Sequence, residues 1–153
     1  MRHTLFRLLF ASVMSFAITL PAWAEGTIAR AVFSSDVIDR EPIDDLGKVV
    51  YVKYGDIQRV YFFTDLRDMS GSQVSHRWKL DGDVMAEVSF EVGGDRWRVW
   101  SSKRLMPGFD GTWTAEVVQD GKVIDSRSFN YVDEDITDDS SSEYSSMPTE
   151  IVE

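Results

Sequence analysis

Two features of this sequence can do chemistry: a run of cations around a tryptophan, and one histidine at a predicted interior position. Arg96, Arg98 and Lys103 lie within four positions of Trp100, and Arg77 and Lys79 lie on a strand expected in the same sheet. Guanidinium and ammonium groups beside an indole suit an acidic protein surface or an anionic polymer, because charge draws the partner in and the ring supplies contact area. The candidate binding residues are therefore Arg77, Arg96, Arg98, Trp100 and Lys103. The competing expectation is a solvated sheet face on which these cations pair with neighbouring carboxylates.

His76 and His3 are the two histidines, and there is no cysteine. That removes thiol nucleophiles and disulfides, and it leaves too few nitrogen and sulfur ligands for zinc. The acids between Asp133 and Asp139 do not follow the spacing of a calcium loop. Gly93-Gly94 lies between two predicted strands, not between a strand and a helix, so it is no phosphate loop. The expectation is a chain with no catalytic residues, no metal and no cofactor.

The elements that carry these residues read as strands. From Val84 to Val92 the apolar residues Val84, Ala86, Val88, Phe90 and Val92 alternate with Met85, Glu87, Ser89 and Glu91. That is the period of a half-buried strand. Gly93-Gly94 suits a two-residue hairpin loop, which would pair this strand with Asp95–Ser101. Phe90 would then face Trp97, and Glu91 would face Arg96. Gln73–Leu80 alternates in the same way and is expected on the other flank. A three-residue loop, Asp81-Gly82-Asp83, sets Leu80 against Val84 and Arg77 against Glu87. The predicted meander buries Trp97 and His76, and gathers Arg77, Glu87 and Trp100 in one outer row.

Elsewhere Ile28–Phe33 and Arg59–Thr64 read as strands, the second as a central one. Asp36–Pro42 is a turn-rich linker, and Val49–Tyr54 is ambiguous because Gly47 and Gly55 interrupt it. Thr112–Val117 and Val123–Tyr131 flank Asp120-Gly121, a strong hairpin signal. Phe129 and Tyr131 point inward only if a bulge intervenes, expected near Arg127. About seven short strands at this spacing predict an all-β chain, an antiparallel immunoglobulin-like β-sandwich, with a small β-barrel as the alternative.

The ends differ from the middle. Arg2, His3 and Arg7 precede an apolar run to Leu20, and Ala22-Trp23-Ala24 supplies the small residues of a cleavage site. Residues 1–24 read as a secretory signal peptide, too short for a stable membrane span after cleavage. The domain is expected over residues 25–132. Residues 133–153 carry eight acids, no base and five serines, and are expected as an acidic disordered tail. The chain has 26 acids and 16 bases; setting aside those eight acids and Arg2 and Arg7 leaves 18 acids against 14 bases from Glu25 to Val132. A periplasmic or secreted location follows, and that compartment with this acidity argues against nucleic acid.

Ala31-Val32-Phe33, Asp39-Arg40-Glu41-Pro42, Arg59–Thr64, His76-Arg77-Trp78, Phe90–Gly94, Arg96–Lys103 and Pro107-Gly108 through Gly111-Thr112-Trp113 together resemble the bacterial domain of unknown function 2914 family. The resemblance spans roughly Ala29 to Tyr131, with the arginine–tryptophan segment as its most specific part. It implies an extracytoplasmic β domain and offers no catalytic residues. The expected function is an exported, non-enzymatic binding or interaction domain for an unknown protein or cell-envelope polymer. The alternative is a carbohydrate or cell-wall binding module with Trp100 as a stacking platform. A hydrolase stands third, because the usual constellations are missing.

Overall fold

Alternation along each strand forces one face inward, and two such sheets bury those faces against each other. The computed structural model describes residues 26–53 and 56–134. The predicted signal peptide and nearly all of the acidic tail lie outside the described residues. The strands are β1 (Thr27–Ser34), β2 (Val37–Ile38), β3 (Glu41–Pro42), β4 (Val49–Lys53), β5 (Gln58–Arg67), β6 (Gln73–Leu80), β7 (Asp83–Glu91), β8 (Arg96–Leu105), β9 (Gly111–Gln119) and β10 (Lys122–Glu134).

A three-stranded sheet has the order β1-β5-β8, and a five-stranded sheet the order β4-β10-β9-β6-β7. Pairing is antiparallel except between β4 and β10. The chain is thus an all-β, immunoglobulin-like sandwich, and neither sheet closes into a barrel. β2 and β3 form a separate small hairpin. The ambiguous stretch around Val50 is a strand, β4, running parallel to the end of β10.

Aromatic rings dominate the core. Phe62, Trp78, Trp113, Phe129 and Tyr131 are all fully buried. Phe33 meets Phe129 edge-on with centroids 4.7 Å apart, and Trp78 meets Trp113 at 6.5 Å. Each such ring removes ~150–250 Å² from water, so a few of them supply most of what a small, cysteine-free core needs.

His76 lies in this interior, as its place in the alternation predicts. Its Nε2 is 3.0 Å from Thr64 Oγ1 and its Nδ1 is 3.0 Å from Ser101 Oγ. Trp78 Nε1 donates to the same Ser101 oxygen at 2.9 Å. His76 and Trp78 belong to one sheet, Thr64 and Ser101 to the other, so the network ties the two layers together. Burial holds the imidazole neutral and pushes its pKa down to about 3.

The β6–β7 pairing matches expectation at Val74–Phe90, His76–Val88, Arg77–Glu87 and Trp78–Ala86. The turn differs. Leu80 pairs with Asp83 across a two-residue loop, Asp81-Gly82, in which both residues have positive φ. A bulge beside Lys79 then sets Val84 opposite Lys79, on the outer face and not against Leu80 as expected. Asp120-Gly121 forms the predicted tight hairpin, again with positive φ at both residues. The bulge that turns Phe129 and Tyr131 inward sits at Ile124, earlier than Arg127.

The larger correction concerns β8. It does not fold back on β7 through Gly93-Gly94; it crosses to the other sheet and pairs along its whole length with β5. Neither glycine has a positive φ, which the hairpin loop would require. The crossing is pinned where Gly71 N donates to Val92 O at 2.8 Å and Val92 N donates to Ser72 O at 3.1 Å. β7 is therefore the outermost strand of a five-stranded sheet that faces only three. Its inner residue Val88 is 37% exposed, because no strand of the narrower sheet covers it.

Candidate binding face

Moving β8 to the other sheet redistributes the candidate residues. Parity along β8 survives: Trp97, Val99 and Ser101 turn inward, while Arg96, Arg98 and Trp100 turn outward. The outer row now belongs to the three-stranded sheet. Arg96, Arg98 and Trp100 stand on one strand opposite Arg67, Asp65 and Phe63 of β5.

Arg77 is on the far side of the sandwich, on the outer face of the five-stranded sheet. Its Nε is 3.0 Å from Glu87 Oε2 and its Nη1 is 3.5 Å from Glu116 Oε2. Lys79 Nζ completes the group at 3.0 Å from Glu116 Oε1. The hydrogen bond to Glu87 raises the Arg77 pKa further, while bonds from Ser75 and Arg77 hold the Glu87 carboxyl below its usual range. Two cations meet two carboxylates, the charge-paired surface weighed above as the competing expectation. Lys103 joins neither face; its Nζ lies 5.7 Å over the Trp113 ring at the rim of the interior. The structure thus brings together Arg96, Arg98 and Trp100, and separates Arg77 and Lys103 from them and from each other.

Around Arg96 and Arg98 the structure adds residues that spacing along one strand could not reveal. Asp65, only 4% exposed, is the anchor. Arg96 donates to its Oδ2 from Nη2 at 3.0 Å and from Nε at 3.3 Å. Arg67 Nε lies 3.0 Å from Oδ1, and Arg98 Nε lies 3.8 Å from Oδ2. Burial pushes the Asp65 carboxyl up, but the hydrogen bonds from Arg96 and Arg67 with their charges outweigh it, so its pKa lies below the ordinary value. The expected pairing of Arg96 with Glu91 is replaced by this one.

The second anchor is Glu41 of β3. Arg98 Nη1 is 2.7 Å from Glu41 Oε1, and Arg30 of β1 donates to Glu41 Oε2. The bond from Arg30 holds this carboxyl below its usual range despite some desolvation. Because Glu41 reaches both β1 and β8, the β2–β3 hairpin lies across the middle strand between them. Phe63 is fully buried although it points outward, with the Arg30 guanidinium 4.8 Å over its ring. Trp100, its cross-strand neighbour, is half-buried.

The turn of that hairpin, Asp39-Arg40, holds both residues at positive φ, 51° and 63°. Arg40, Arg96, Trp97 and Arg98 line an open pocket of about 180 Å³. Asp39–Pro42 reads in sequence as a linker; Asp65 and Arg67 continue the outer row of β5 beyond Thr64. That alternation was the available signal for Asp65; Asp39-Arg40-Glu41-Pro42 was marked by the family resemblance, which gave no role to Glu41 or Arg40.

Among the described residues no cluster of three or more His, Cys, Asp or Glu can hold a metal ion, and no helix is long and apolar enough to cross a membrane. Thr64, His76 and Ser101 look like a nucleophile–base pair by distance. All three are sealed between the sheets, with at most 6% exposure, so they serve the core.

Residues 71–131, from the loop before β6 into β10, match a family described as "Protein of unknown function (DUF2914)". No curated protein matches the chain. Among solved structures, the chain is similar to an immunoglobulin-like protein from Pseudomonas aeruginosa at 14% identity and a TM-score of 0.47, covering 72% of this chain and 99% of that one. It is also similar to the CARDB domain of a Pyrococcus furiosus protein, solved in complex with di-metal ions, at 8% identity and a TM-score of 0.44, covering 71% and 88%.

Proposed function

We propose that this chain, which over residues 71–131 matches the DUF2914 family of unknown function, is an exported, non-enzymatic binding domain that engages an anionic partner through the outer face of its three-stranded sheet. The observation that carries this reading is the imbalance on that face. Arg30, Arg67, Arg96 and Arg98 surround two carboxylates, Asp65 and Glu41, and Arg40 adds a cation with no ion pair among the described residues. The opposite face is paired off. A folded region whose acids outnumber its bases, yet which concentrates arginine on one side, is arranged to attract negative charge there.

Guanidinium forks bind carboxylate and phosphate groups with two parallel bonds, and arginine and tryptophan carry a large share of interface energy. Trp100 flanks the face but is half-buried beside Phe63, so charge leads and the ring assists. The signal-peptide pattern ending in Ala22-Trp23-Ala24 supports export, and an envelope polymer or an acidic envelope protein is the partner class proposed.

The test compares faces. The full mature chain is immobilised, loaded with cell-envelope extract at low salt, and eluted in a salt gradient. Arg96→Gln with Arg98→Gln should release bound material at markedly lower salt, whereas Arg77→Gln with Lys79→Gln should leave elution unchanged. Earlier release from the second pair alone would place binding on the five-stranded sheet and overturn the reading.

A further inference from the structure

We infer that the pocket lined by Arg40, Arg96, Trp97 and Arg98 holds a phosphate monoester group of the partner, an assignment that rests on the arginine face being the binding surface. Three arginines line one opening of about 180 Å³. That is below the ~300–1,000 Å³ of a site for a whole small molecule, so it accommodates one group of a larger ligand.

The donors are set in place before any ligand arrives. Arg96 spends Nε and Nη2 on Asp65, which leaves its other terminal nitrogen. Arg98 spends Nη1 on Glu41 and turns Nε toward Asp65. Held by Asp65, and Arg98 by Glu41 as well, these two side chains lose little freedom on binding. Among the described residues Arg40 has no hydrogen-bond or ion-pair partner, so its five donors are open to a ligand. The free N–H groups exceed what the two oxygens of a carboxylate accept. A phosphate monoester brings three terminal oxygens and a charge of about −1.5 to −2, which matches the donors in number and offsets more of the charge.

The hairpin turn is the second observation. Ile38 pairs with Glu41, so Asp39 and Arg40 form a two-residue loop with both φ values positive. Asn-Gly is favoured in such a loop, and a long β-carbon-bearing side chain is disfavoured at its second position. Arginine occupies that position, and Glu41, one residue on, ties the turn to Arg98. The strain is greatest at Arg40, which adds the third arginine to the pocket, since aspartate tolerates this backbone better than arginine does.

The turn also supplies a variant that separates binding from folding. Arg40→Gly removes the guanidinium and relieves the backbone. The full mature chain is titrated calorimetrically with glucose 1-phosphate, and with acetate at the same ionic strength. A parallel arm uses phosphatidylcholine vesicles with and without phosphatidic acid. The expected result is binding of the phosphate monoester over acetate, weakened about tenfold or more by Arg40→Gly, with an unchanged or higher melting temperature. Response to the soluble monoester assigns the group to a soluble or polymeric ligand; response to phosphatidic acid vesicles alone assigns it to a lipid headgroup. Either keeps the site. Equal affinity for acetate, full binding by Arg40→Gly, or no response in any arm overturns it. If the site fails while Arg96→Gln with Arg98→Gln still lowers envelope retention, the phosphate assignment falls and the binding face stands.

Discussion

The ring of Trp97 packs so closely on Gly93 that a Cβ added there would lie 3.0 Å from its Cη2 atom. The neighbouring Gly94 has no atom nearer than 4.0 Å to the same hypothetical carbon. The two glycines therefore answer to different demands, and neither demand is a left-handed backbone.

Gly93→Ala should destabilise the fold by about 1 kcal/mol, since the indole must shift to admit a methyl group. Gly94→Ala should be neutral or stabilising by about 0.5 kcal/mol, because it only restricts the unfolded chain. Urea melts of the two variants check this. Losses of similar size at both positions would point to a strained turn and contradict the crossing from β7 to β8.

His76 sets the direction of the pH response. Its pKa is about 3 in the folded state and near its ordinary 6.5 when unfolded. Between those values the unfolded chain binds one more proton than the folded one. Stability is complete above about pH 6.5 and falls by about 1.4 kcal/mol for each pH unit below it, until the folded pKa is reached. Asp65, Glu41 and Glu87 have lowered pKa values and add to the loss only under more acid conditions. Denaturation of the wild-type chain between pH 7 and 5 should show the slope, and His76→Gln should flatten it. An unchanged slope in the variant would assign the acid sensitivity to the carboxylates.

Asp65→Asn should cost about 2–3 kcal/mol at pH 7, less than the ~3–5 kcal/mol for breaking a fully buried ion pair, because Arg67 and Arg96 keep access to water. Stability from urea titration and the order of the β2–β3 hairpin, followed by amide exchange at Glu41, should both decline. A loss under 0.5 kcal/mol, on the scale of an ordinary surface substitution, would show that the arginines orient themselves without this anchor.

What the sequence reveals here depends on how far apart the partners lie. The register of β6 on β7 was legible because a slip of one residue would turn Trp78 and His76 out to solvent. The same alternation says that Trp97 faces inward, and it does. It is silent on which sheet β8 joins, since a strand with one apolar face fits beside β5 as well as beside β7. Proximity in the chain favoured β7. The tight contact of Trp97 on Gly93, which could only be known in three dimensions, accounts for the glycine that read as a turn. Arg96 and Arg98 were visible as candidates, but their anchor Asp65 lies some thirty positions earlier and Glu41 still further back. Arg77 looked like their neighbour only while β8 was laid beside the wrong strand.

β1 enters at the end of the sandwich where Thr27 pairs with Arg67, and β10 leaves at the other end, past Tyr131 opposite Gly111. A pull between Gly26 and Glu134 therefore runs along the strands. It loads the β1–β5 ladder and the β10 ladders in shear, so many hydrogen bonds must fail together, where a hairpin pulled from one end would unzip them singly. The thirteen residues of β10 span about 40 Å at ~3.3 Å per residue. In-line tension between these two ends is therefore met by whole ladders at once, and the fold resists it better than a pull across the strands.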